Sequence, residues 1–311
     1  MSLPNHHNPL RWEDLDPEAV DQLIRRALAE DLAGTGLRIS PPATGDVTTA
    51  HIPADRLGCA RLVNREPLVV CGLPILPRVL AETARQTGLA ATATVVNDVT
   101  DGTYLADRTP FVTLRGPARL LLIAERTLLN FIQHLSGIAT LTRRYREAMG
   151  DSPTQLLDTR KTTPGYRFLE KYAVGCGGGI NHRLGLFDRI LLKDNHLAAG
   201  TFAGGEALRQ RIRDCQANHP GLAVEVEVDH PDQVEPAVEG GADYLMLDNF
   251  SDEDTRAAIH QVAGRCKVEL SGGITLATLP AKARLGADFI STGAITHQST
   301  WPDIGLDWEI E

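Results

Sequence analysis

The sequence predicts an α/β protein in two parts: a small N-terminal α/β sandwich, then a parallel sheet wound either as a barrel or as a doubly wound layer. Three observations carry this. At 311 residues the chain exceeds a single domain of about 150. Its 42% hydrophobic and 23% charged residues give an ordinary globular composition, which excludes disordered, collagen-like and coiled-coil chains. From Thr154 onward, short apolar runs alternate with helical stretches at even spacing, the pattern of repeated β/α units.

The elements follow in chain order. Asp16 can cap and Pro17 can open a helix over Glu18–Leu32, whose apolar positions Val20, Leu23, Ile24, Ala27 and Leu28 share one face. Strands are expected at Cys59–Val63, Leu68–Cys71, Ala93–Val96 and Phe111–Leu114, with a helix at Ile75–Gln86 and turns at Asp101-Gly102 and Gly116-Pro117. Ala118–Met149 is the longest helical stretch, and Gly137 is expected to break it in two. Further strands are expected at Leu156–Asp158, Ile190–Lys193, Ala223–Val228, Tyr244–Asp248, Val268–Ser271 and Phe289–Thr292. No GxGxxG follows a strand, which removes support for a dinucleotide-binding fold.

Charge narrows the function. The net charge of −9 argues against a general nucleic-acid binder. Its distribution is uneven: residues 1–114 carry −4, residues 115–193 carry +7 and residues 194–311 carry −12. A basic middle inside an acidic chain suggests a cationic cleft for a small, highly charged anion. The longest wholly apolar run, Leu120–Ala124, is far too short to span a membrane. Residues 1–20 hold Glu13, Asp14, Asp16 and Glu18 and no apolar run, unlike a secretory or transit peptide. Five scattered cysteines without a CxxC pair suggest reduced thiols, so the expected location is the cytoplasm.

Each expected strand of the second part ends in polar residues: Asp158-Thr159-Arg160-Lys161, Lys193-Asp194-Asn195, Glu225 and Glu227, Asp248-Asn249, Ser271-Gly272-Gly273, and Ser291-Thr292-Gly293. In a β/α barrel such ends line the mouth where substrates bind. Arg160, Lys161, His182, Arg183 and Lys193 form a cationic group, and arginine suits planar carboxylates or phosphates because its fork donates two parallel hydrogen bonds. Glu227 and Asp248 form an acidic group suited to Mg²⁺ shared with substrate oxygens. Ser271-Gly272-Gly273 and Thr292-Gly293-Ala294 offer backbone N–H groups to a terminal phosphate. No nucleophilic constellation stands out; Cys176 reads as a structural thiol and His6-His7 as part of a frayed terminus.

Together the residues carry a family resemblance. Glu125-Arg126-Thr-Leu-Leu-Asn130-Phe, Leu135-Ser-Gly-Ile-Ala139-Thr, Asp158-Thr-Arg-Lys-Thr162, Lys171-Tyr-Ala-Val-Gly-Cys-Gly-Gly-Gly179 and Asn181-His-Arg-Leu-Gly185 come first. Lys193-Asp-Asn-His196, Glu225-Val-Glu-Val228, Leu247-Asp-Asn-Phe250, Ser271-Gly-Gly273 and Gly293-Ala-Ile-Thr-His297 complete the set. In this order the blocks resemble the quinolinate phosphoribosyltransferase family (nicotinate-nucleotide pyrophosphorylase, carboxylating). The N-terminal third resembles it more loosely, through Gly45-Asp-Val-Thr-Thr49.

The resemblance implies an N-terminal α/β sandwich domain, residues 1–128, rejoined by a returning tail, 300–311. An open (incomplete) parallel β/α barrel follows over residues 129–299. It implies a Mg²⁺-dependent reaction of quinolinate with 5-phosphoribosyl 1-diphosphate that gives nicotinate mononucleotide, pyrophosphate and CO₂. It also implies a homodimer in which Arg126 reaches the partner's site, and no nucleic-acid or membrane partner. Arg160, His182 and Arg183 then grip the quinolinate carboxylates. Lys161 and Lys193 face the phosphoribosyl diphosphate, with Lys193 also near the quinolinate, Thr159 is a further substrate-binding residue, and Glu227 and Asp248 hold the ribose hydroxyls, directly or through Mg²⁺. Ser271, Gly272, Gly273, Gly293, Ala294 and His297 bind the 5′-phosphate. Lys161, Lys193, Glu227 and Asp248 are the implied catalytic groups. Residues 1–14 have no assigned role. Three alternatives leave part of this pattern unused: a Schiff-base aldolase built on Lys193, a paralogous phosphoribosyltransferase for another ring acid, and a phosphosugar sensor without turnover.

Overall fold

A computed structural model describes residues 8–193, 195–196 and 205–309; His6, His7 and Asp194 of the sequence reading lie outside these. The chain forms two compact bodies. The first comprises Leu10–Leu141, Thr163–Gly178 and Ser299–Glu311, and the second contains Thr142–Thr162 and Gly179–Gln298.

The first body opens with α1 (Pro17–Ala33), where the Asp16 side chain accepts the Glu18 N–H at 3.0 Å and Gly34 ends the helix in the left-handed region. Val20, Ile24 and Leu28 are its buried stripe. Next come β1 (Leu57–Asn64), β2 (Leu68–Val69), α2 (Ile75–Thr87), β3 (Thr94–Asn97), β4 (Tyr104–Leu105) and β5 (Pro110–Pro117). The long helix α3 (Ala118–Ala148) follows, and α4 (Arg167–Cys176) returns to this body. The tail strand Ile304–Trp308 pairs antiparallel with β1, giving a four-stranded sheet in the order tail strand, β1, β5, β3.

Helix α3 is unbroken, contrary to the expectation at Gly137. A Cβ there would lie 2.3 Å from the Thr300 carbonyl oxygen, so the glycine serves close approach of the tail rather than a kink. The expected boundary at 128/129 falls inside this helix, whose last turns, from Thr142, count with the second body.

The second body is a parallel sheet built from β6 (Gln155–Leu157), β7 (Ile190–Leu192), β8 (Val224–Val228), β9 (Tyr244–Asp248), β10 (Lys267–Ser271) and β11 (Phe289–Ser291). Between and after these strands lie α5 (Gly205–Asn218), α6 (Val234–Glu239), α7 (Asp252–Val262), α8 (Leu279–Lys282) and α9 (Ala294–His297). The strand order is β6-β11-β10-β9-β8-β7. Strands β7 to β11 neighbour one another in sequence order, without the reversal of a doubly wound sheet, and β6 pairs with the last of them. That is barrel winding, but β6 and β7 do not pair, so the barrel stays open.

Candidate active site

Period-two alternation assigns the faces of this sheet. Val224, Val226 and Val228 alternate with Glu225 and Glu227 on β8, yet all five are buried. Parallel register puts Glu227, Met246 and Glu269 in one row and Asp248 and Ser271 in the next. One face is therefore aliphatic, and the other carries three glutamates and an aspartate across adjacent strands.

At the C-terminal rim the expected residues gather in two groups. Lys193 forms an ion pair with Glu227. Carboxylate oxygens of Glu227, Asp229 and Asp248 lie within 4.8 Å of one another. Asn249, in the left-handed region at φ 57°, donates its side-chain N–H to Asp248 Oδ2 at 2.8 Å and its backbone N–H to the Ser271 carbonyl at 3.0 Å. Lys193 is thus engaged in an ion pair, rather than desolvated among apolar groups as a Schiff-base lysine needs to be.

The second rim group surrounds the glycine turns. Gly272 and Gly273 both have positive φ, at 86° and 62°. At Gly293 a Cβ would fall 2.7 Å from Lys161 Cδ and 3.1 Å from His297 Nε2, so glycine lets these two side chains converge. Thr296 Oγ1 donates to the Lys161 carbonyl at 2.8 Å, and the Ala294 N–H donates to Thr292 Oγ1 at 3.2 Å. The Thr159 hydroxyl accepts the Lys161 N–H at 3.0 Å, so it shapes the turn that carries Lys161.

Beneath the rim lies a buried cluster. Asp158, fully buried, accepts the His182 N–H at 2.7 Å and the Asn181 side-chain N–H at 2.9 Å. His182 Nδ1 accepts the Arg183 N–H at 2.8 Å. Its Nε2 lies 3.2 Å from Glu225 Oε2 and 3.4 Å from Glu269 Oε2, both carboxyls being 0% exposed. Arg189 donates to Glu225 at 3.0 Å while its guanidinium stacks 4.5 Å from the centre of the Tyr244 ring. Burial works against a charge on Glu225, yet His182 and Arg189 outweigh it and hold that carboxyl low. Burial, and then the charge on Glu225, push the Glu269 carboxyl up.

Arg160 and Arg183 are neighbours as well. Burial, and then the like charge of Arg160, lower the proton affinity of Arg183. Arg160 Nε is buried and meets no acceptor among the described residues. Two like charges that act on one another, one of them with an unmet buried donor, make a cationic spot whose chemistry suits a small anion.

The structure thus brings Arg160, Lys161, His182, Arg183, Lys193, Glu227, Asp248, Ser271 and Gly293 into one body at one end of one sheet. Arg126 belongs to the first body, where it is exposed on α3. Both ring nitrogens of His182 face protein groups, which bears on its expected grip on a substrate carboxylate. Asp158, Arg189, Glu225 and Glu269 have no role in the sequence reading. For Glu225 the signal was the alternation Val-Glu-Val-Glu-Val, since a strand between helices buries both faces and its charges must meet partners inside.

Comparison with known proteins decides the family. Residues 138–307 match the model for the quinolinate phosphoribosyl transferase C-terminal domain, and residues 46–136 match the N-terminal domain of the same family. The chain belongs to the quinolinate phosphoribosyltransferase family. It is 39% identical to the nicotinate-nucleotide pyrophosphorylase [carboxylating] of Mycobacterium leprae (strain TN), over 94% of this chain and 99% of that one. The structure of the nicotinate-nucleotide pyrophosphorylase from Francisella tularensis superposes with a TM-score of 0.83 at 38% identity, covering 95% of this chain and 98% of that one. NadC from Streptococcus pyogenes gives a TM-score of 0.84 at 37% identity, with 96% and 99% covered. The looser N-terminal likeness is therefore family likeness too, and an open parallel sheet together with a separate antiparallel sheet is the architecture shared with the family. Among the described residues, no helix is long and apolar enough to cross a membrane.

Proposed function

We propose that this chain transfers the phosphoribosyl group of 5-phosphoribosyl 1-diphosphate to the ring nitrogen of quinolinate, with loss of CO₂. The products are nicotinate mononucleotide and pyrophosphate, a step of NAD synthesis. One observation carries the ring half of this reading: Arg160 Nε is buried and without an acceptor among the described residues, and the charge of Arg160 acts on Arg183. A planar dianion relieves both the repulsion and the unmet donor.

The geometry supports the following roles. Arg160 and Arg183 hold the two carboxylates and so fix the pyridine nitrogen toward ribose C1. Lys161 and His297, converging at Gly293, and the Ser271-Gly272-Gly273 turn receive the 5′-phosphate, with Ala294 opening the helix beyond it. Lys193 faces the departing diphosphate from its pair with Glu227. Glu227 and Asp248 face the ribose, where their charge stabilises the oxocarbenium-like sugar that forms as the diphosphate leaves. Once the ring nitrogen is quaternary, its charge stabilises the carbanion left by CO₂, so no enzyme nucleophile is required.

The oxygens of Glu227, Asp229 and Asp248 are hard donors of the kind Mg²⁺ accepts, and Glu227 and Asp248 are the residues to hold it. When bound, Mg²⁺ supplies charge neutralisation at the diphosphate. Arg126, exposed on its helix, is the group to reach a partner's ring site in a cytoplasmic homodimer.

Turnover tests the reading. Purified protein with Mg²⁺, phosphoribosyl diphosphate and quinolinate is expected to yield nicotinate mononucleotide, while nicotinate in place of quinolinate yields none. Equal product from nicotinate, or none from quinolinate, overturns it. Mixed Arg126→Ala and Arg160→Ala chains test the dimer, since heterodimers are expected to regain activity. No recovery despite confirmed subunit exchange places Arg126 outside the partner's site.

A further inference from the structure

The function proposed above needs Arg160 and Arg183 at a fixed separation, yet the two residues belong to different segments of chain. Arg160 lies three residues beyond the end of β6, and Arg183 lies between α4 and β7. Main-chain pairing joins the two segments at one point. Leu157 and Ile180 form a parallel bridge, with the Ile180 N–H donating to the Leu156 carbonyl at 2.9 Å and the Asp158 N–H to the Ile180 carbonyl at 3.2 Å.

Past that bridge the Asp158 side chain continues the connection. Its Oδ1 accepts the His182 N–H at 2.7 Å and its Oδ2 accepts the Asn181 side-chain N–H at 2.9 Å. The carboxylate is fully buried, so water does not compete for either bond. The two arginines follow this link at once, Arg160 two residues after Asp158 and Arg183 one residue after His182. The far side of Arg183 is tied as well. Its Nη1 donates to the Arg189 carbonyl at 3.3 Å, and the buried Asp188 accepts the Leu184 N–H at 2.6 Å and the Gly185 N–H at 3.2 Å.

We propose that Asp158 is a positioning residue: it sets the spacing of Arg160 and Arg183, and through that spacing it favours a ring with two adjacent carboxylates. Each arginine–carboxylate pair is directional, so one rigid dianion satisfies both guanidiniums at one separation only. A shift of about 1 Å between such groups can cost about 100-fold. Asp158 touches neither substrate in this arrangement and acts through the two segments it joins. That the ring is quinolinate rests on the proposed function; the spacing of the arginines does not.

Variants of the full-length protein separate length from charge. Asp158→Glu keeps both acceptors and the charge but adds a methylene. It is expected to raise the KM for quinolinate by about tenfold, with the KM for phosphoribosyl diphosphate within about threefold of wild type. Asp158→Asn keeps the length and one acceptor, and Asn181 can turn its amide to meet the new N–H. Its quinolinate KM is expected within about threefold of wild type. The reverse order, with Glu tolerated and Asn impaired, makes charge the cause and overturns the proposal. An equal loss of affinity for both substrates in the Glu variant overturns it too, as the mark of a merely structural role. Asp158→Ala, which removes both acceptors and adds no volume, is expected to show the same split and serves where the Glu variant folds poorly. Calorimetry with benzene-1,2-dicarboxylate, which has the paired carboxylates but no ring nitrogen to react, keeps the test apart from turnover. Wild type binding this probe about tenfold more tightly than the Glu variant supports the proposal even where quinolinate is not turned over. Equal affinity in the two proteins overturns it even where quinolinate is turned over.

Discussion

The two bodies differ in how completely they match buried polar groups, although Asp158 of the second is as well met as any in the first. In the first, the half-buried Asp101 and the buried Glu170 are both met by donors. The Asp101 carboxylate accepts from the Gly72 N–H at 2.9 Å, the Leu73 N–H at 3.0 Å and the Tyr172 hydroxyl at 2.7 Å. Glu170 takes His134 Nε2 at 2.9 Å and the Thr163 N–H at 3.2 Å. His134 Nδ1 is the one orphaned buried side-chain atom there among the described residues. In the second body Arg160 Nε, Glu225 Oε1 and both oxygens of Glu269 lack partners. A fully matched polar group acts as a staple, whereas an unmatched one is stable only if a proton or a ligand completes it. That contrast separates framework from active site without reference to any relative.

The largest expected effect breaks the contrast at its centre. Glu225→Ala leaves Arg189 as a buried cation without its carboxylate, and urea unfolding should show a loss of about 3–5 kcal/mol. A loss below about 1 kcal/mol means that water already reaches this cluster. Arg183→Ala or Arg160→Ala comes next: titration should show quinolinate binding weakened by more than about tenfold, with little change in melting temperature. Wild-type affinity in either variant removes that arginine from the ring site.

On the framework side, Tyr172→Phe deletes one of the three donors to Asp101, whose carboxyl burial already pushes up. A loss of about 1–2 kcal/mol in stability is expected, with quinolinate KM unchanged. A raised KM with intact stability would make this staple part of the site. The smallest effect depends on pH. Burial works against the Glu170 charge, but His134 and Thr163 outweigh it and hold the carboxyl low. The folded value lies below the unfolded one, about 4.3, so its stabilisation is complete above that pH and fades as pH falls through the folded value. Glu170→Gln should therefore be less stable than wild type at neutral pH, with the gap closing as acid is added. A gap that stays constant would show that shape, not charge, is what Glu170 supplies.

Much of this was legible in the sequence because it is local. Asp16-Pro17 caps α1 as expected, and the strands of the parallel sheet fall where short apolar runs end in polar residues, since burial of both faces forces such runs. The rim residues were legible for the same reason: the chain must change character where a strand leaves the core. Gly137 misled because a glycine in a helix can mark either a break or a close contact, and only the position of Thr300 distinguishes them. Helix α4 has no place in the sequence reading, although Phe168, Leu169, Tyr172, Ala173 and Cys176 recur at helical spacing, because a stretch of ten residues between glycine-rich turns is short for a pattern-based assignment.

The sequence alone determined the α/β class, the even β/α repeat and the grouping of basic residues ahead of acidic ones, because periodicity and charge are properties of neighbours along the chain. Periodicity did not choose between barrel and doubly wound sheets; the family resemblance implied the open barrel, and strand pairing far apart in sequence shows it. Tertiary structure alone decided which glutamate faces a cation and which faces a second glutamate. Glu225 and Glu269 look alike in their strands, and their chemistry diverges because Arg189 reaches one and not the other. A buried charge is defined by what lies within a few ångströms across the core, and the chain's own order does not contain that distance.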